Sequence, residues 1–186
     1  MFLRSERLFL RPAWAEDAPE LARAIGHEAV ARMLAHMPWP YAEEDARRFV
    51  EQAGDPYLPR LLITLPAEGG RIVGGCGLHD GPDDRDAVAE VGYWITPDSW
   101  GRGYATEALC GLLSLARLAG HRQVAGRHAA DNPASGRVLR KLGFHPTGRS
   151  RVFHSLGRDA RLESFEYAID LAEAGGPCDA PMRQAA

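Results

Sequence analysis

The chain has 186 residues, 45% hydrophobic and 25% charged, with a formal net charge of −3. That is the size and balance of one ordinary globular domain with a sizeable core, and no apolar run reaches the ~20 residues that span a bilayer. The three cysteines, Cys76, Cys110 and Cys178, lack metal-ligand spacing, so no metal site is expected. Cys76 and Cys110 read as small core residues in a reducing, cytoplasmic setting.

The opening MFLRSERLFLRP has no continuous apolar segment of the kind a secretory signal carries. Residues 6–12 alternate polar and apolar and predict a first strand, stopped at Pro12. Asp17 precedes an apolar-periodic stretch (Leu21, Ile25, Val30, Leu34), which predicts one or two helices with Asp17 as N-cap. Pro38 and Pro40 force an extended path through residues 36–41. Trp39 and Tyr41 there either line a pocket or pin the loop to the core. Glu43, Glu44 and Asp45 open a helix through Phe49 and Val50, with acids at its favourable end. Residues 60–65 and 71–78 predict a hairpin whose glycines allow a bulge or close packing. His79 ends that hairpin, either as a base or as an ordinary surface histidine. Residues 80–86 form an acidic loop.

Residues 89–95, AEVGYWI, are β-branched and aromatic and predict a strand. The run from Trp100 through Gly101, Arg102, Gly103, Tyr104, Ala105 and Thr106 then leads into an apolar-periodic helix over residues 105–118. Two glycines at a strand-to-helix turn let a ligand approach the backbone, and the free N–H groups of the first helical turn suit an anion. Taken alone, Gly-x-Gly is equally a plain tight turn. Residues 122–128 predict a further strand, left through Asn132-Pro133. Residues 135–142 predict a helix with Val138, Leu139 and Leu142 on one face, closed by Gly143 with Phe144 packing back. Residues 148–154 and 162–169 read as a closing hairpin, and 175–186 as a frayed tail. Residues 1–174 therefore read as a single domain without repeat or linker.

Charge is uneven along the chain. Residues 101–161 hold eleven basic side chains against three acidic ones, a balance of +8, so the remainder carries −11. The basic stretch is either a set of solvated faces or an electropositive side for an anionic ligand. Aromatic residues are not interleaved with the basic ones, so nucleic acid is not the expected partner.

Residues 90–108 and 132–144, in this order and spacing, resemble the GNAT superfamily of acetyl-CoA-dependent N-acetyltransferases, and within it the RimJ/RimL-type branch. The start, Ser5-Glu6-Arg7-Leu8 with Arg11-Pro12 and Asp17-Ala18, is similar to that branch as well. The resemblance implies an α/β (α+β) GNAT fold: a mixed sheet of about six to seven strands flanked by helices and splayed between its two central strands. It implies acetyl-CoA as acyl donor, no metal, a small-molecule or peptide amine as acceptor, no nucleic acid or membrane partner, and a possible homodimer. Backbone amides of Arg102, Gly103, Tyr104, Ala105 and Thr106 are then expected to bind the pyrophosphate. The strand near Trp94 and Ile95 is expected to hold the pantetheine arm and the oxyanion, Asn132 the pantetheine, and Lys141 the 3′-phosphate. Trp39, Tyr41 and His79 would border the acceptor cleft.

Acetyl transfer to an amine needs a positioned thioester, a stabilised oxyanion and removal of the ammonium proton. Glu90 is an acid inside an apolar strand. Burial would raise its pKa and make it a base; the other reading is an ion pair with one of the arginines. Many GNAT enzymes place a tyrosine seven residues after the asparagine, but here that position is Leu139. Ser135 stands where the branch has a serine able to contact the coenzyme sulfur, and it otherwise reads as a helix N-terminal serine. A catalytically silent acyl-CoA-binding module is the competing function. A dinucleotide-binding domain is disfavoured, because the full Gly-x-Gly-x-x-Gly is missing.

Overall fold

The computed structural model describes residues 1–52, 54–81, 88–172 and the backbone of 183–184. The chain runs through β1 (Leu3–Arg4), β2 (Phe9–Arg11), α1 (Ala18–Ile25), α2 (Glu28–Ala31), α3 (Glu43–Glu51), β3 (Arg60–Leu65), β4 (Arg71–His79) and β5 (Ala89–Ile95). It continues through α4 (Tyr104–Leu118), β6 (Gln123–Ala129), α5 (Pro133–Lys141), β7 (His145–Ser155), β8 (Ala160–Asp170) and β9 (Arg183–Gln184). The nine strands among the described residues form one sheet in the order β7-β8-β6-β5-β4-β3-β2-β1-β9.

The sheet is covered on both faces, and the sequence of β3 shows it. RLLITL is buried at its last five positions, as a strand packed on two sides must be. Leu61, Ile63 and Leu65 join the main core with Leu109, Leu112 and Leu113 of α4. Leu62 turns the other way, to Ile72, Leu21 of α1 and Ala46 of α3. α4 and the α1–α3 group thus occupy opposite faces. Edge strand β7 is exposed along nearly its whole length.

All strands pair antiparallel except β5 and β6. Those two are parallel, and they pair only at Ala89↔Val124, Glu90↔Ala125 and Val91↔Gly126. Beyond that point β5 stays with β4 as far as Ile95, while β6 stays with β8 as far as Ala129. The sheet therefore opens into a gap between its central strands, as expected for the splay.

The expected six to seven strands become nine because the two-residue strands β1 and β9 are added at one edge. β9 falls in the stretch expected to be a frayed tail, and its two residues pair with β1; the rest of 173–186, including Cys178, lies outside the described residues, as do 82–86 of the expected acidic loop. Asp17 does precede α1, but its carboxylate makes no cap bond. It grips the Arg11 guanidinium at 2.6 and 2.7 Å and accepts from the Trp14 N–H at 2.7 Å. The bidentate arginine six residues earlier in the chain wins over the weaker cap. Cys76 is buried, and burial pushes its thiol up to about 12. Cys110 packs, partly buried, against the main core.

Candidate active site

The gap opens beside a glycine turn. Gly101 and Gly103 hold φ of +74° and +80°, a region that costs a side-chain-bearing residue about 1–2 kcal/mol. Gly103 is the N-cap of α4 and brings no side-chain hydrogen bond to it. The first-turn amides at Tyr104, Ala105 and Thr106 thus end the helix uncapped by any side chain, with the positive end of its dipole. The turn is braced from a distant part of the chain. Arg7 donates to Glu107 at 2.7 Å and to the Arg102 carbonyl at 2.9 Å, and its guanidinium lies 4.9 Å from the Tyr104 ring centre. Ser5 Oγ donates to Glu107 at 2.6 Å and the Arg7 N–H at 2.9 Å. Burial pushes the Glu107 carboxyl up, but these hydrogen bonds outweigh it and hold the group below its ordinary value. Trp100 contributes by donating its indole N–H to the Ile95 carbonyl at 2.7 Å, tying the turn to the end of β5.

Inside the gap the strand's polar groups are sorted by alternation. The Thr96 N–H bonds to Val73 O beside β4. The N–H of Trp94 therefore also faces β4, and those of Tyr93 and Ile95 face the open side. Of the two amides expected to meet the oxyanion, only that of Ile95 is turned the right way. Across the gap, the Tyr93 hydroxyl lies 2.7 Å from Ser135 Oγ. Burial pushes the Tyr93 phenol up to about 12, so it stays protonated at neutral pH. Asn132 caps α5, its Oδ1 accepting from the Ser135 N–H at 3.3 Å. Leu139 is fully buried in the core. Lys141 is exposed at the last turn of α5, about 13 Å along the helix from Asn132.

The other face of the sheet carries the candidate base. Glu90 is 8% exposed and pairs with His79 across β4–β5, so both side chains point to the α1–α3 face. Burial pushes the Glu90 carboxyl above its ordinary value, against the pull of Arg127, His79 and His36. Arg127 Nη1 lies 3.1 Å from Glu90 Oε2. The ion pair is therefore present, and so is the raised pKa. Glu90, Arg127, Thr147, Arg149 and Glu166 line a cavity of about 340 Å³. Trp94 and Tyr41 pack in the same two clusters on this face, with Leu34 and Met37 in one of them. Gly75 makes room for the Trp94 indole: a Cβ there would meet Nε1 at 2.6 Å. Trp39 is 40% exposed and belongs to neither cluster. Among the described residues no group of three or more His, Cys, Asp or Glu is placed to hold a metal, and no helix is long and apolar enough to cross a membrane.

A family model described as an acetyltransferase (GNAT) domain matches residues 7–145. The chain belongs to the GNAT family. The uncharacterized N-acetyltransferase YoaA of Bacillus subtilis is 27% identical over 157 residues, which cover 81% of this chain and 86% of YoaA. A GNAT-family acetyltransferase from Bacillus anthracis superposes with a TM-score of 0.75 at 24% identity, covering 93% of this chain and all of the other. RimL, a ribosomal L7/L12 α-N-protein acetyltransferase solved with coenzyme A, superposes at 0.74 with 20% identity, covering 91% of this chain and 98% of RimL. At such identity these structures show the shared fold and leave the branch open. This GNAT acetyltransferase thus brings together the Gly103 turn, Ile95, Ser135 and Asn132 around the gap, with Glu90 and His79 on the opposite face.

Sequence reasoning assigned no role to Ser5, Arg7, Tyr93, Arg127 or Glu166. Tyr93 and Glu90 differ by an odd number along one strand, and that parity alone places them on opposite faces. Arg127 and Glu166 each put a charge inside a strand, the same signal that singled out Glu90.

Proposed function

We propose that this GNAT enzyme moves the acetyl group of acetyl-CoA to a primary amine, a protein N-terminus or a small molecule, by direct attack within the β5–β6 gap. The observation that carries the reading is the three-pair limit of the β5–β6 ladder, with an uncapped helix N-terminus on one side and a buried carboxyl on the other. The donor supplies the thioester. The amides of residues 103–106 hold its pyrophosphate, and Lys141 takes the 3′-phosphate. The Ile95 N–H, preorganised on the open side, meets the oxygen where negative charge develops.

Glu90 takes the ammonium proton. It lies two residues before Gly92, where the ladder has ended, and strand rise is about 3.3 Å per residue. From there the proton reaches it through water. The neutral amine nitrogen then attacks the carbonyl carbon, the excess N–H proton of the tetrahedral intermediate is lost to water, and the C–S bond breaks with the sulfur leaving as thiolate. Tyr93, protonated, donates to Ser135, which frees the Ser135 proton for the departing sulfur. The pair stands in for the tyrosine missing at position 139. The acceptor face, with Tyr41 and Trp94 as its aromatic wall, admits the amine from the α1–α3 side. A cytoplasmic location and the RimJ/RimL branch belong to this reading too.

The test is release of coenzyme A thiol from acetyl-CoA over a panel of amines and N-terminal peptides. Glu90→Gln is expected to lower kcat by about 10²–10⁴-fold with coenzyme binding intact. Ser135→Ala is expected to lower it less, because a thiol with a pKa of about 8.5 leaves tolerably unaided. Unchanged turnover in Glu90→Gln removes Glu90 as base. Coenzyme binding without turnover on any amine favours a silent acyl-CoA-binding module.

A further inference from the structure

The Glu90 carboxylate does not own its arginine. Arg127 Nη2 makes its hydrogen bond to Glu166 Oε2 at 2.9 Å. Toward Glu90 it offers only a charge contact, 3.1 Å from Nη1, and Glu90 Oε2 is buried without a hydrogen-bond partner. Glu166 is far better served. It also accepts from Thr147 Oγ1 at 3.1 Å and has the Arg149 guanidinium 3.8 Å away. Two buried carboxylates flank one guanidinium, and nearly all the hydrogen bonding goes to one of them. The sheet register enforces the division. Glu90↔Ala125 and Arg127↔Glu166 pair on the same face, so Arg127 sits directly opposite Glu166 and two residues along from the Glu90 pair.

We propose that Arg127 is a positioning residue for the acetyl transfer: by giving its hydrogen bond to Glu166 it keeps Glu90 within reach of a cation yet free to accept the proton of the incoming ammonium. The inference rests on Glu90 as the base. An arginine fully paired with Glu90 would hold that carboxylate ionised and weaken it as a proton acceptor, since hydrogen bonds to the charged form would add to the pull that the guanidinium already exerts from 3.1 Å. With no cation at all, burial would push the carboxyl higher still and cut the fraction able to act as a base. Glu166 regulates between these limits, by competing for Arg127 and by its own negative charge. The groups acting on Glu90 are Arg127 from β6, Glu166 from β8, His79 from β4 and His36 from the segment after α2. Burial pushes both carboxyls up; at Glu90 it prevails, while at Glu166 the hydrogen bonds of Arg127 and Thr147 and the charges of Arg127 and Arg149 outweigh it and hold the group below its ordinary value. Environments that separate two neighbouring carboxyls in this way are how one site keeps a base beside a fixed counter-charge.

The two neighbours of Glu90 pull in opposite directions, and that is the test. The titration of the Glu90 carboxyl is followed by carbon-13 NMR, together with the pH profile of kcat/KM, in wild type, Arg127→Gln, Arg127→Lys and Glu166→Gln. A base works when deprotonated, so the acid limb of activity follows its pKa. Arg127→Gln is expected to move both the titration and the acid limb to higher pH by about one unit. Glu166→Gln is expected to move both to lower pH, because it removes a like charge and releases the guanidinium to Glu90. Arg127→Lys, which keeps the charge without the fork, falls between wild type and Arg127→Gln. Shifts in the same direction in Arg127→Gln and Glu166→Gln, or no shift in either, overturn the proposal. Glu166→Gln preserves shape, so it carries the test alone if Arg127→Gln does not fold. If the Glu90 titration moves as stated but the activity profile does not follow, the division of Arg127 stands and the assignment of Glu90 as base fails.

Discussion

On the α4 side of the β5–β6 gap the lining is mostly backbone: two glycines with positive φ, an uncapped helix end, and strand amides turned inward. On the α1–α3 side it is side chains drawn from far apart in the chain: Glu90 from β5, Arg127 from β6, Glu166 from β8, with Tyr41 and Trp94 as the wall. A thioester-bearing nucleotide is the same molecule in every enzyme that uses it, and backbone geometry suits a constant ligand. An acceptor differs from enzyme to enzyme, and side chains can change without refolding the turn. The two sides should therefore respond to mutation in separable ways.

The sharpest way to break the donor side is Gly103→Val. A β-branched residue at φ +80° is strained and crowds the helix N-terminus. The KM for acetyl-CoA should rise about tenfold or more, with the acceptor KM little changed. Saturation kinetics in each substrate separately checks this. On the acceptor side, Gly75→Ala puts a Cβ at 2.6 Å from the Trp94 indole. It should cost about 1–3 kcal/mol of stability and raise the acceptor KM while sparing the acetyl-CoA KM; thermal melts with the same kinetics measure both. Glu107→Gln strips the turn of the charge that orders Arg7. Its folded-state pKa lies below its ordinary value of 4.5, so its contribution to stability is present above that pH and is lost as pH falls through the lowered pKa. The variant should be less stable than wild type at neutral pH, and the difference should vanish in acid denaturation curves. Lys141→Ala is expected to be the mildest, a few-fold rise in acetyl-CoA KM that fades as salt is added.

This division also decides what was legible in the sequence. The Gly101–Thr106 turn and the β5 strand each arise within a few consecutive residues. Local spacing was enough to place them. Glu90 was legible as an anomaly, a charge in an apolar strand, but its partner was not, because Arg127 reaches it only through a parallel pairing whose register no local pattern carries. The same holds for Arg7, which is 100 residues from Glu107. Asp17 shows the reverse failure. Its position looked like a cap, and a bidentate arginine six residues earlier in the chain took its carboxylate instead. The strand count fell short because β1 and β9 are two residues each, too short to show periodicity.

The early end of the β5–β6 ladder has a consequence for time as well as for space. The Tyr93 and Ile95 amides face no neighbouring strand, although they lie in the middle of a nine-stranded sheet. In solution they should exchange their protons for deuterium far faster than the Trp94 amide between them, which faces β4. A donor lying along the gap would close that difference. Three consecutive residues thus form a clock inside the enzyme, from which the residence of the donor can be read without any acceptor or turnover.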